Sequence, residues 1–190
     1  MLTEEALEEL SACTARLEAG IQKPALLSAV ARDFLAMISA YERDGYHFIR
    51  QGDPVNGLAS AAYALGWLDA GACLGLVRYQ GPRNLDILAH SSLPPALRNP
   101  MAEKTSRYQR LLQRGVSCVE HAPEPETPLY EVSCRFLLIA ETYLGYGNLF
   151  GNPDTLPNAL FCFSYGFSWL DAGIRAGLFR ITGDRELFAQ

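Results

Sequence analysis

AAYALGWLDAGACLGLVRY at residues 61–79 and FSYGFSWLDAGIRAGLFRI at residues 163–181 are two versions of one segment, 102 positions apart. Identical residues stand at Tyr63/Tyr165, Trp67/Trp169, Leu68/Leu170, Asp69/Asp171, Ala70/Ala172, Gly71/Gly173, Gly75/Gly177, Leu76/Leu178 and Arg78/Arg180. Asn56/Asn158 and Leu58/Leu160 extend the match upstream. The chain has two tryptophans, and both fall at this one repeat position. That coincidence marks an internal duplication. Further back, Ala40/Ala140, Gly45/Gly145 and Tyr46/Tyr146 match at an offset of 100, which implies two extra residues near Asn152–Asp154.

The flanking signals are helical. Thr3 is the expected cap of a first helix, with Ala6, Leu10, Cys13 and Leu17 on one face and Gly20 at its end. Pro24 suits the first turn of a long second helix that stops at Gly52, roughly 40 Å by the helical rise. Asp53-Pro54 reads as the N-cap and first-turn proline of a third helix running to about Arg78. In the second copy, Asn99-Pro100 opens a helix ending at Gly115, and Thr127-Pro128 opens a longer one. Asp154 or Thr155 caps the last, which ends before Gly183. No run of strict alternation demands a sheet. The expected fold is all-α: two tandem three-helix units, each built on a long helical hairpin, packed with pseudo-twofold symmetry into one bundle. The units are residues 1–79 and 99–190. The third helix ends before Gly81-Pro82, and the proline-rich stretch 80–98 reads as the linker, with room for one short helical turn.

Composition narrows the function. With 190 residues, 16 Lys plus Arg and 21 Asp plus Glu, the net charge is −5. That is wrong for a protein that coats nucleic acid, so DNA is excluded as a partner and RNA is disfavoured. Hydrophobic residues at 49% against 19% charged exclude a disordered chain. Cys13, Cys73, Cys118, Cys134 and Cys162 form an odd, scattered set with no CxxC pair. The acidic start MLTEEALEEL lacks the features of a secretory signal, so a cytoplasmic protein is expected. Residues 57–77 are apolar enough in length to suggest a membrane span. Asp69 near the middle, Asp171 and Arg175 in the sister stretch, and the lack of basic flanks favour a buried central helix instead.

The residues that could carry chemistry are few. At 100° per residue, Asp69 falls on the stripe of Leu58, Ala62, Leu65 and Leu76, and Asp171 on that of Leu160, Phe167, Ile174 and Leu178. A carboxylate in an apolar stripe must find a partner or neutralise. It is either a structural hydrogen-bonding group or half of a paired-carboxylate site at the axis between the copies. Tyr46, His47, Tyr143 and Tyr146, then Tyr41, Arg32 and Arg135, are the expected partners on the middle helices. Tyr63 with Trp67, and Tyr165 with Trp169, are spaced i, i+4 on one face. They are either core or a platform for a flat ligand. Gly71, Gly75, Gly173 and Gly177 suit close helix approach. Cys118-x-x-His121 is too small a set for zinc, so no metal and no cofactor are expected. Lys104, Arg107, Arg110 and Arg114 share one side of a helix and read as a solvated face or a site for an acidic partner.

Gly-Asp-Pro-Val-Asn at 52–56 followed by Tyr-x-x-x-Trp-Leu-Asp-Ala-Gly at 63–71, with its second copy at 165–173, resembles the archaeal family called domain of unknown function 357. Glu103, Lys104, Arg107 and Tyr108 match the opening of the family pattern in the second copy. The first copy lacks that opening but keeps Gly52, Asp53 and Asn56. The second has Gly151-Asn152 in place of Gly-Asp. The resemblance implies an archaeal cytoplasmic helical protein and carries no activity to transfer. The leading expectation is a non-enzymatic interaction module with a protein partner or self-association. The alternative is a ligand-binding protein or enzyme with a site between the copies using Tyr63, Trp67, Asp69, Tyr165, Trp169 and Asp171. A pocket between the copies lined by Tyr, Trp and Asp would favour the alternative; a flat apolar patch would favour the module.

Overall fold

Asp53 starts the central helix of the first copy. Its carboxylate accepts the Asn56 backbone N–H at 3.0 Å, and Pro54 fills the first turn, where no N–H is needed. Thr127 does the same for the middle helix of the second copy, accepting from Tyr130 N–H at 3.2 Å ahead of Pro128. The computed structural model describes residues 1–21, 27–80 and 93–188. The first copy comprises α1 (Leu2–Thr14), β1 (Glu18–Ala19), α2 (Ser28–Arg50), α3 (Pro54–Cys73) and β2 (Val77–Arg78). The second comprises α4 (Arg98–Ser117), β3 (Val119–His121), α5 (Pro128–Leu149), α6 (Leu156–Arg175) and β4 (Phe179–Ile181).

The chain is an all-helical bundle with two minute strand pairs. Helices α3 and α6 are buried along almost their whole length. They pack on each other at the centre, α3 also against α1 and α2, and α6 also against α4 and α5. An apolar helix without a polar face needs neighbours all round, and the two copies supply them mutually. No helix among the described residues is long and apolar enough to cross a membrane.

Several boundaries differ from the sequence reading. α1 begins after Met1 and ends at Thr14, before Gly20. Thr3 is not its cap; its hydroxyl donates to the Pro54 carbonyl at 3.1 Å, tying α1 to the start of α3. α2 starts at Ser28, and Pro24 lies outside the described residues, as do Gly81-Pro82, His90 and most of the 80–98 stretch. A 3-10 turn is present at Pro95–Leu97. α3 and α6 stop short of Arg78 and Gly183, because Gly75 and Gly177 adopt left-handed backbone with φ of 68° and 76°. Leu76 N–H reaches back to Gly71 C=O at 2.9 Å and Gly75 N–H to Ala72 C=O at 3.0 Å, closing the helix end. Leu178 and Gly177 repeat the closure on Gly173 and Ile174 at 2.8 and 3.0 Å. Released from the helix, the chain pairs with the segment after the first helix: Glu18 with Arg78, and Glu120 with Arg180. Strands of two or three residues are too short to show an alternating pattern.

The offset is 102 throughout the described copies, not 100 along the middle helices. The buried residues of α2 are Ala31, Phe34, Ile38 and Gly45; those of α5 are Ser133, Phe136, Ala140 and Gly147, the same positions moved by 102. Phe34 meets Trp67 edge-on at 4.7 Å and 70°, and Phe136 meets Trp169 at 4.7 Å and 70°. Tyr41 and Tyr63, and again Tyr143 and Tyr165, lie 4.4 Å apart. The Gly45/Gly145 and Tyr46/Tyr146 identities are accidents of composition; Tyr146 is half exposed, whereas Gly147 is buried where Gly45 is.

Candidate functional site

Gly66 of α3 and Ser168 of α6 occupy the same repeat position and touch where the two helices cross. A Cβ on Gly66 would overlap Ser168 Oγ and stand 2.9 Å from the Tyr165 carbonyl. The missing side chain lets the helices approach. Three residues to either side stand Tyr63 and Asp69 on α3, and Tyr165 and Asp171 on α6. The Tyr63 hydroxyl donates to Asp171 Oδ2. The Tyr165 hydroxyl donates to Asp69 Oδ2 at 2.7 Å. Each copy's tyrosine thus serves the other copy's aspartate. Ser164 Oγ adds a bond to the Ala59 carbonyl at 2.7 Å.

Burial holds both phenols protonated. The pKa of Tyr63 and of Tyr165 is raised well above the ordinary value, first by desolvation and then by the charge of the partner aspartate. They are therefore permanent donors. Asp171 is only 3% exposed. Desolvation raises its pKa to about 6, against the opposing effects of the Tyr63 hydrogen bond and the Arg175 charge. The Tyr41 hydroxyl lies by Tyr63 and feels the same carboxylate, which helps raise its pKa after desolvation.

The two aspartates then part company. Asp69 is half-buried, and its Oδ1 accepts a second phenol, that of Tyr79, at 3.2 Å. Ile181 stands at the position of Tyr79 in the second copy. It brings no donor, and among the described residues Tyr63 is the one hydrogen-bonding partner of Asp171. A cleft of about 460 Å³ opens there. Its walls are Asp33, Ala36, Met37 and Trp67 of the first copy, and Asp171, Ile174, Arg175, Ile181 and Phe188 of the second. Arg175 bridges the two copies, donating from Nε at 3.2 Å and Nη2 at 2.7 Å to Asp33 Oδ2. The corresponding residues on the other side are Cys73 and Arg135, which cannot form this pair.

Of the six sequence candidates, Trp67 and Asp171 line the cleft. Tyr63 positions Asp171 from behind. Tyr165, Asp69 and Trp169 are the counterparts across the repeat. Asp69 and Asp171 do not share a proton as a carboxylate pair; each is bonded to its own phenol. The phenols that bond the aspartates come from the sister copy's central helix and, for Asp69, also from Tyr79 just after β2, rather than from the expected middle-helix positions. Both indole N–H groups are buried without a hydrogen bond of normal geometry among the described residues. Gly71 and Gly173 do mark close approaches, a Cβ at Gly71 meeting Phe34 and Val77 at 2.9 Å, whereas Gly75 and Gly177 face open space.

Sequence reasoning missed Asp33, Arg175 and Phe188, which no repeat identity singles out. The signal for the open side was present: Tyr79 against Ile181 near the end of the aligned segment. His121 turns to Ser133 Oγ at 2.8 Å and lies 4.0 Å from Cys134 Sγ. Among the described residues no group of three or more His, Cys, Asp or Glu is placed to hold a metal ion. Arg114 pairs with Asp184, and Lys104 lies 5.3 Å over the Tyr108 ring.

The family described as protein of unknown function (DUF357) matches residues 1–77 and 107–179. The chain belongs to this family. Two matched segments are two tandem copies of the family's domain, and they end at corresponding positions, Val77 and Phe179. Arg107 and Tyr108 fall inside the second segment, and Glu103 and Lys104 ahead of it. Neither a curated protein nor a solved structure matches the chain.

Proposed function

We propose that this DUF357 protein binds a small molecule in the cleft at Asp171. The observation that carries the reading is the inequality of the two aspartates. Asp69 has both oxygens engaged by phenols, while Asp171 has one phenol and borders a cleft. A buried carboxylate left partly unpaired costs stability. A site that retains one beside apolar walls of Trp67, Met37, Ile174 and Phe188 has the make-up of a ligand pocket: mostly hydrophobic, with a few polar groups, Asp171 and the Arg175–Asp33 pair. Its volume falls in the usual range for small ligands. Binding is favoured over catalysis because the lining offers no nucleophile beside a base. The test is native mass spectrometry of the purified chain, followed by a thermal-shift screen of small molecules. Ligands that stabilise the wild type and lose their effect in Asp171→Ala support the reading. A full screen without a hit that depends on Asp171 overturns it.

A second reading, docking of a protein partner or of a second copy, draws on α5. Leu138, Tyr146 and Leu149 are 60%, 50% and 79% exposed. Leu138 and Leu149 lie about 20° apart around the helix. Their counterparts on α2 are Ala36, Asp44 and His47, so the apolar face belongs to the second copy alone. Light scattering across a concentration series, with Leu138→Glu and Leu149→Glu as comparisons, tests self-association.

A further inference from the structure

We infer that the ligand of the Asp171 cleft is a planar ring bearing an O–H or N–H donor, held by Asp171 as Tyr79 is held by Asp69. This rests on the ligand-binding reading above and adds the chemical class. The protein contains its own template. In the sister arrangement, Asp69 accepts two phenols, Tyr165 on Oδ2 at 2.7 Å and Tyr79 on Oδ1 at 3.2 Å. On the open side, Tyr63 takes the place of Tyr165 on Asp171 Oδ2, and Ile181 takes the place of Tyr79.

The surroundings correspond, which is what allows the template to be transferred. Trp67 stands to Phe34 as Trp169 stands to Phe136, at the same distance and angle. Tyr41 stands to Tyr63 as Tyr143 stands to Tyr165. Ile181 and Asp171 both line the cleft, whereas their counterparts Tyr79 and Asp69 are bonded directly to each other. Charge selects further. Asp33 is paired with Arg175, whose charge also reaches Asp171, and Asp171 makes no salt bridge of its own among the described residues. A donor completes the carboxylate; an anion or a pure acceptor is repelled by it.

The experiment follows the indole N–H resonances of Trp67 and Trp169 by NMR in the full chain, titrated with three probes. 4-Methylphenol reproduces the Tyr79 side chain. Toluene keeps the ring and lacks the donor. 4-Methylbenzoate replaces the donor with an anion. The expected result is a saturable shift of the Trp67 signal with 4-methylphenol, toluene weaker by about tenfold or more, and no response to 4-methylbenzoate. Ile181→Tyr supplies the counterpart of Tyr79 and is expected to block 4-methylphenol. Asp171→Asn, which keeps the shape and lowers the acceptor strength, is expected to reduce the preference for 4-methylphenol over toluene, and it carries the test should Ile181→Tyr misfold. Toluene or 4-methylbenzoate binding as tightly as 4-methylphenol overturns the ligand class and leaves the cleft as a binding site. No response of Trp67 to any probe, in wild type and variants alike, overturns both.

Discussion

Tyr63 and Asp171 belong to different copies of the repeat, and the buried phenol of the first donates to the buried carboxylate of the second. Its mirror, Tyr165 with Asp69, has a third member in Tyr79. The two halves of one reciprocal arrangement therefore differ in how much each hydrogen bond matters.

Tyr63→Phe is expected to cost more stability than Tyr165→Phe. The first leaves Asp171, 3% exposed, without its one hydrogen-bonding partner among the described residues, a loss of about 1.5–3 kcal/mol for a bond to a charged group. The second leaves Asp69 half-buried and still bonded to Tyr79. Urea unfolding of both variants at pH 7 checks the order; equal losses would show that Tyr79 contributes nothing.

Asp171 makes stability depend on pH in the unusual direction for a carboxyl group. Its folded pKa of about 6 lies above the ordinary value of 3.8, so the folded state binds the proton more tightly than the unfolded state. Its contribution is most favourable below about pH 4 and falls as pH rises through 4 to 6, then levels off. The loss amounts to roughly 3 kcal/mol. Asp171→Asn lacks this titration. The unfolding free energy of wild type relative to Asp171→Asn should fall by about that amount between pH 4 and pH 7, and a constant difference would contradict it.

Gly66→Ala should destabilise strongly, by about 2–3 kcal/mol or more, although alanine is the better helix former. The added methyl overlaps Ser168 Oγ and presses on the Tyr165 carbonyl. Ser168→Gly in the same chain should restore part of the loss, since it removes one of the two obstacles. Thermal unfolding of the single and double variants measures the coupling.

Gly75→Leu should also destabilise, for a different reason. No atom lies within 4 Å of a Cβ there, so crowding is absent. The cost, about 1–2 kcal/mol, comes from forcing a side chain into φ of 68°. Gly75→Asn, which tolerates that backbone better, should lose less than Gly75→Leu. Equal losses in the two variants would point to a contact that the glycine conformation does not explain.

Much of the architecture could be read in one dimension. The duplication shows because Trp-Leu-Asp-Ala-Gly occurs twice, and Asp53-Pro54 and Thr127-Pro128 mark helix starts by chemistry that acts within one turn. The burial of α3 and α6 follows from composition, since a helix without a polar face has nowhere else to go. Asp69 and Asp171 stand out in the sequence as carboxylates in apolar stripes that need partners, and the structure gives both hydrogen bonds.

Who the partners are was decided in three dimensions. Tyr63 and Tyr165 each serve the aspartate of the other copy, so position within one hairpin does not predict these partners. Gly66 and Ser168 bring α3 and α6 close enough for the tyrosines to cross between copies, and no local pattern records that distance. Gly75 reads in the sequence as a packing glycine and is instead a helix-ending one: the two are the same letter, and only the backbone angle separates them. The opening at Asp171 is likewise a property of the fold. The exchange of Tyr79 for Ile181 is visible in the sequence, but that it leaves a buried carboxylate at the edge of a cleft depends on where β4 lies once Gly177 has turned the chain out of α6. The sequence by itself determined the repeated helices and the groups that had to be paired, because those follow from short-range propensity and from the cost of burying charge. The tertiary structure alone decided which groups pair and which copy stays open, because hydrogen bonds and clefts depend on distances between segments far apart in the chain.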